Sequence, residues 1–352
     1  MLPALSVLDQ SPVASGRTAA DALAETLALA RRCDALGYAR YWLAEHHNSE
    51  ALACSAPEVM IAAVAATTRR IRVGSAGVML PHYSPLKVAE VFRALEGIAP
   101  GRIDLGLGRA PGSDGRTAHA LNPDAANAAE RFPVSVSELL AWLRVGGRAL
   151  PEGHPFREVR AVPEVATAPQ VWILGSSDYG AQVAAHFGLP YCFAHFITDG
   201  RGAAEALSLY RDLFRPGALG APRAAVAVFA LAADTEAEAW RAYSSRALWR
   251  LSRDRGVFPP LPSAAEAEAY PYSAAERAHL DRLARTAVVG TGARVVERLA
   301  AVARDLGGVE EVAVLTAAHD PAARVRSYEA IAEAAGLPGA GAGPTAVALA
   351  AE

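Results

Sequence analysis

The stretch RYWLAEHHN, residues 40–48, sets an aromatic and apolar run, Tyr41, Trp42 and Leu43, directly against Glu45, His46 and His47. Such a run reads as a buried strand, and in a chain of repeated strand–helix units the C-terminal end of a strand is where reactive groups collect. Histidine titrates nearest neutrality, so His46 or His47 can exchange protons during a reaction at working pH. Two other readings compete. A zinc site is one, but adjacent side chains on an extended strand point to opposite faces, and no HExxH or Cys/His spacing adds ligands, so no metal is expected. A histidine that merely closes a structural hydrogen bond is the other, and the rest of the sequence weighs against it.

Working outward, strand-like runs recur at 4–9, 39–44, 71–80, 102–107, 170–174, 189–195, 224–231 and 311–315, with helical stretches between them. Several are nearly all apolar, the pattern of parallel strands covered by helices. Helix starts are marked by Thr18 with Asp21, by Ser55-Ala56-Pro57-Glu58 read as a capping box, and by Ser84-Pro85. Eight strands with no dividing linker predict an α/β chain folded as a closed (β/α)8 TIM barrel over residues 1–335, in preference to an open doubly wound sheet. Two segments interrupt the repeat. Residues 109–128, rich in Gly, Pro, Asn and Asp, are expected to form an active-site loop, and 253–285, with Pro259, Pro260, Pro262 and Pro271, an insertion or lid. The Gly/Ala/Pro-rich end, 336–352, is expected to be a flexible tail.

Composition narrows the function. A net charge of -3 with scattered Lys and Arg gives no footprint for nucleic acid. Cys33, Cys54 and Cys192 are far apart with no CxxC, which argues against a disulfide framework or structural zinc and suits a reducing cytoplasm. The start, MLPALSVLDQ, lacks a basic region and a long apolar core, and no apolar run is long enough to span a bilayer, so no membrane association is expected. Small-molecule chemistry is left.

The candidate site residues follow the strands: Asp9, Gln10 and Ser11 after the first, Glu45, His46 and His47 after the second, Gly108, Arg109 and Ala110 after the fourth. Gly175, Ser176, Ser177, Asp178, Tyr179 and Gly180 follow the fifth, and His195 the sixth. A barrel turns all of these toward one mouth. LGLGRAPGSD, residues 105–114, opens like a dinucleotide-binding loop but has Pro111 where the next glycine belongs. It reads better as a close backbone approach to a ligand followed by Arg109, a fixed cation suited to a phosphate. The 175–180 loop lies between a strand and a helix, where backbone N–H groups make an anion site. An ordinary serine N-cap is the competing reading, and Arg109 at a neighbouring mouth position tips the balance.

With these motifs in place the chain resembles the bacterial luciferase-like flavin-dependent monooxygenase family. The resemblance runs through SVLDQSPV, RYWLAEHHN, RIRVGSAGVMLPHYSPLKVAE, GRIDLGLGRAPGSD, ILGSSDYGAQVAAHFGLPYCFAHF and VVGTGARVVERLA, nearly the whole chain to about residue 335. It implies a barrel with an insertion region, a homodimer or related heterodimer, and reduced FMN at the C-terminal mouth. It also implies that His46 is the catalytic histidine with Glu45 beside the flavin, and that Ala76-Gly77 is a non-proline cis peptide under the flavin ring. Arg109, with Ser176, Ser177 and Gly180, takes the phosphate, and His195 falls where the luciferase subunit has a tryptophan against the flavin. Gly108 replaces a reactive cysteine, and the phosphate loop is one residue longer and lacks a glutamate, departures that point to an oxygenase without luminescence. The implied activity is oxidation of a small organic substrate by O2 and reduced FMN, a cosubstrate delivered by a separate flavin reductase. A deazaflavin-dependent hydride transfer and a non-catalytic flavin-binding protein are the alternatives.

Overall fold

The computed structural model describes residues 2–340. Eight strands close a parallel ring where the apolar runs predict them: β1 (Ala4–Asp9), β2 (Arg40–Leu43), β3 (Arg72–Met79), β4 (Ile103–Gly108), β5 (Gln170–Gly175), β6 (Tyr191–Phe193), β7 (Ala224–Ala233), then, past a further strand β8 (Val288–Thr291), β9 (Glu311–Leu315). Each of β1 to β7 pairs with the next, β7 pairs with β9, and β9 returns to β1. The architecture is the expected (β/α)8 barrel. β8, which the sequence reading lacks, sits outside the ring on the far end of β7, Ala230 to Ala233. Its four residues are too short for a periodic signal, and the last of them, Thr291, already caps the helix Gly292–Asp305 by accepting from the Arg294 N–H.

Period-two alternation sorts the side chains into two cores. Leu5 and Val7 of β1 and Tyr41 and Leu43 of β2 join the apolar shell between barrel and helices. Leu8 and Trp42 point inward, where they meet Trp172, Cys192, Ala225, Ala227, Ala313 and Leu315. Trp42 and Trp172 cross edge to face with centroids 5.1 Å apart. Below them lies an ionic floor. Arg40 donates to Asp104 at 2.7 Å and to Glu311 at 3.0 Å, Arg72 to Asp104 at 2.6 Å, Arg223 to Glu311 at 3.3 Å, and the Trp42 indole N–H to Asp104 at 3.0 Å. Buried charge is tolerated there because each carboxylate meets more than one donor. Tryptophan and ion pairs thus fill the N-terminal end of the barrel interior.

The start signals hold in part. Thr18 and Asp21 form the expected reciprocal box on Ala19–Leu36. Pro57–Thr67 begins from Ala56 with no side-chain cap, because Ser55 stands one residue too early, and Ser84 caps Pro85–Ile98 only through its backbone. The segment 109–128 is less a loop than expected: Asp114 accepts from the Arg116 and Thr117 N–H groups and starts Gly115–Leu121, and Ala125–Glu130 follows. Within 253–285, Ser263 with Glu266 and Ser273 with Glu276 open the helices Ala264–Ala269 and Ala274–Thr286. At the chain end Gly339 donates to the Leu36 carbonyl at 3.2 Å, while the rest of the expected tail, 341–352, lies outside the described residues. Among the described residues no helix is long and apolar enough to cross a membrane.

Candidate active site

The strand ends surround a cavity of about 390 Å³, within the size range of small-molecule sites. Alternation along β2 continues past its last paired residue. Ala44 and His46 therefore line the cavity, while Glu45 and His47 turn to the other side. The His46 backbone is pinned by its N–H to the Cys54 carbonyl at 3.0 Å. Its imidazole has no hydrogen-bond partner among the described residues, and Nδ1 is buried. Burial, with His47 adding to it, holds the His46 pKa down to about 4, so the ring is neutral at neutral pH.

Glu45, expected to act beside His46, does not line the cavity. It is 1% exposed and ties the mouth together from behind: it accepts from the Tyr83 hydroxyl at 2.9 Å and the Met79 N–H at 3.2 Å, and lies 2.8 Å from His47 Nε2. Asp9 likewise turns outward, against Arg324, Tyr41 and the Ser11 N–H. Burial alone would raise its pKa, but Arg324 leads the contacts that hold it below the usual carboxylate range. Gln10, one residue on, lines the cavity.

Across the mouth, Arg109 is exposed at the end of β4, with its guanidinium 4.0 Å above the Tyr179 ring. No carboxylate pairs with it among the described residues. Gly175, Ser176 and Ser177 carry the chain from β5 into the helix Asp178–Phe187, and Ser177, its N-cap, spends no side-chain hydrogen bond on the cap. The Tyr191 hydroxyl donates to the Ser177 carbonyl at 3.0 Å and fixes the loop from below. Gly180 packs closely there, since a Cβ would stand 3.2 Å from Tyr191 Cε2 and 3.5 Å from Gly175 Cα. The Ala76-Gly77 peptide is cis, and both residues line the cavity floor between the His46 and Arg109 sides. A Cβ on Gly77 would lie 2.6 Å from the Gly106 carbonyl oxygen, so nothing larger fits. Leu8, Met79, Phe132, Ile173 and Leu174 supply apolar walls. Cys192 also lines the cavity, but burial raises its thiol pKa well above the usual value and keeps it a thiol.

The structure thus brings together His46, Ala76, Gly77, Arg109, Gly175, Ser176, Ser177, Tyr179 and Gly180, and leaves Glu45 and His195 apart. β6 ends at Phe193 and the chain turns at once into the short helix His195–Thr198, which swings His195 into a neighbouring cavity and gives Phe196 to this one. Arg253, at the end of the helix Glu236–Asp254, also lines the cavity and was not expected. Its signal is the spacing Arg246, Arg250, Arg253, which puts three arginines on one helical face. Among the described residues no group of three or more His, Cys, Asp or Glu is placed to hold a metal ion.

Comparison with known proteins gives the family. A family model described as luciferase-like monooxygenase matches residues 4–310. The protein YwcH of Bacillus subtilis (strain 168) is 45% identical over 94% of this chain and 98% of its own length. An N-acetyl-S-alkylcysteine monooxygenase of the same strain is 38% identical over 84% of this chain and 87% of its own. The crystal structure of apo-MsnO8 superposes with a TM-score of 0.85 at 40% identity, covering 95% of this chain and 99% of that one. The chain belongs to the luciferase-like monooxygenase family.

Proposed function

We propose that the protein is the oxygenase of a two-component system, which oxidises a small organic substrate with O2 and reduced FMN delivered by a separate flavin reductase. The observation that carries this reading is one cavity with two unlike sides: an unpaired arginine beside a helix N-terminus, and a half-buried histidine whose buried Nδ1 has no partner, with apolar walls between. The residues fit FMN. Arg109 and the 175–180 loop, with Ser176 and Ser177, hold the phosphate by charge-assisted and backbone N–H bonds. Ala76, Gly77 and the apolar walls receive the flat ring system and keep water from it. Bound there, reduced FMN supplies the electrons that activate O2, chemistry that belongs to the cofactor.

The protein's own contribution is placement and proton control. Neutral His46 accepts or returns a proton at a ring nitrogen that no protein group occupies. Glu45 holds the ends of β2 and β3 in register behind it, a positioning residue. The relative named as an N-acetyl-S-alkylcysteine monooxygenase is consistent with a small organic substrate. The reading includes a homodimer acting in the cytoplasm. Oxygen uptake with an FMN reductase and NAD(P)H tests it: uptake coupled to oxygenated product is expected. FMN binding without turnover would leave a flavin carrier, and reduction of a deazaflavin without O2 would replace the oxygenase with a hydride-transfer enzyme.

A further inference from the structure

We propose that Arg246 anchors an anion subsite beside the mouth, which takes a carboxylate carried by the organic substrate. That the carboxylate belongs to the substrate rests on the oxygenase reading; the subsite's charge and shape do not.

The helix Glu236–Asp254 presents Arg246, Arg250 and Arg253 along one face, and their surroundings differ. Arg250 forks onto Asp199, Nη1 to Oδ1 and Nη2 to Oδ2 both at 3.0 Å, and its Nε donates to Asp254 at 2.9 Å. Arg253 lies 3.9 Å from the same Asp254. Arg246, only 5% exposed, has no hydrogen-bond or ion-pair partner among the described residues. Three guanidiniums therefore share two carboxylates, and the unmatched positive charge is the most buried one. Burial, with Arg253 and Arg250 adding to it, pulls the Arg246 pKa down to about 9, which still leaves it charged near neutrality.

Aromatic packing accounts for only part of this. Arg246 Cζ lies 5.0 Å from the Phe229 ring and 5.2 Å from that of Trp249. Such contacts stabilise a guanidinium through its face, whereas its five N–H donors lie in the plane and need acceptors at the edge. The side chain opens on a cavity of about 50 Å³ that His195, Phe196, Asp199 and Tyr243 also line. A water needs about 10–15 Å³ of such space, so the cavity has room for a small planar group such as a carboxylate. Phe196 lines this cavity and the larger one, which makes the two neighbours on either side of that ring. Asp199 lines it too, but its charge is offset by the two hydrogen bonds from Arg250. A carboxylate matches the fork of Arg246 in both plane and charge.

Octanoate and octanamide, equal in length and unlike in charge, are the probes, titrated calorimetrically into the flavin-free protein and into Arg246→Met and Arg246→Lys. The wild type is expected to prefer octanoate by about tenfold or more, Arg246→Met to lose that preference, and Arg246→Lys to keep part of it. Equal binding of the two probes by the wild type overturns the proposal, as does a preference that survives in Arg246→Met; should that variant not fold, an undiminished preference in Arg246→Lys does so. FMN titration of the same samples separates the two readings. Wild type that binds octanoate selectively but not FMN refutes the flavin reading and leaves the subsite standing, whereas FMN affinity lost in step with octanoate preference assigns Arg246 to the flavin and refutes the subsite.

Discussion

Holding His46 neutral inside the mouth makes the protein sensitive to acid in a way that one substitution removes. The ring's pKa stands at about 4 in the folded chain against 6.5 for the unperturbed side chain. The unfolded chain therefore binds this proton first. Stability from His46 is fully present above pH 6.5, is lost as pH falls toward 4, and levels off below that. Linkage between these pKa values gives about 2 kcal/mol of lost stability from pH 7.5 to pH 5, reduced to about 1 to 2 kcal/mol because the ring borders a cavity that admits water. His46→Gln keeps a polar side chain of similar size and removes the titration. Urea unfolding of both proteins at closely spaced pH values measures the effect, since every other titrating group cancels in the difference. The wild type is expected to lose its stability relative to the variant across that interval. A difference that stays flat with pH would mean that His46 titrates alike in both states, and the account of it as a desolvated neutral group would be wrong.

Other outcomes follow from the same geometry. Arg109→Ala should weaken reduced-FMN binding by about tenfold to a hundredfold in an anaerobic titration, since a charge-assisted contact to the phosphate is lost. His46→Ala should bind reduced FMN almost normally yet form product about a hundredfold to ten-thousandfold more slowly, as assayed by substrate oxidation against oxygen uptake. Glu45→Ala leaves the Tyr83 hydroxyl and the Met79 N–H without their acceptor and should cost about 1–3 kcal/mol in denaturant unfolding. Light scattering at micromolar concentration should give the mass of a dimer, and a monomer would remove the homodimer from the functional reading.

The strands were legible because parallel barrel strands bury both faces and show as apolar runs, and because several are followed closely by glycine or polar residues. What failed was local. β8 offers four residues and borrows its pairing from the overlong β7, a tertiary arrangement with no sequence signal. Glu45 was separable in principle: position 46 shares parity with Arg40, Trp42 and Ala44, which all point inward, and position 45 shares it with Tyr41 and Leu43, which do not. Adjacent residues at a strand end do not serve one cavity together. His195 gave no such warning, because the helix that begins at His195 interrupts the alternation. Arg253 lay within a charged, proline-rich segment whose surface-like composition hid a helical face turned toward the mouth.

The two ends of the barrel show how buried charge is told apart by its partners. At the floor, Arg40, Asp104 and Glu311 are nearly inaccessible, and every one is met by oppositely charged neighbours from other strands. These groups hold strands in register and have no valence left for a ligand. At the mouth, the side chains of His46, Arg109 and Arg246 are polar or charged and have no hydrogen-bond or ion-pair partner among the described residues. Leaving the buried ones, His46 Nδ1 and Arg246, unpaired is costly, and a fold that met its needs at the floor by pairing had the same residue types with which to do so at the mouth. A chain that pairs its charges at one end and withholds partners at the other has its partners at that second end supplied from outside. A flavin phosphate opposite Arg109, a reacting group opposite His46 and a carboxylate opposite Arg246 are three such partners, each testable by removing one side chain.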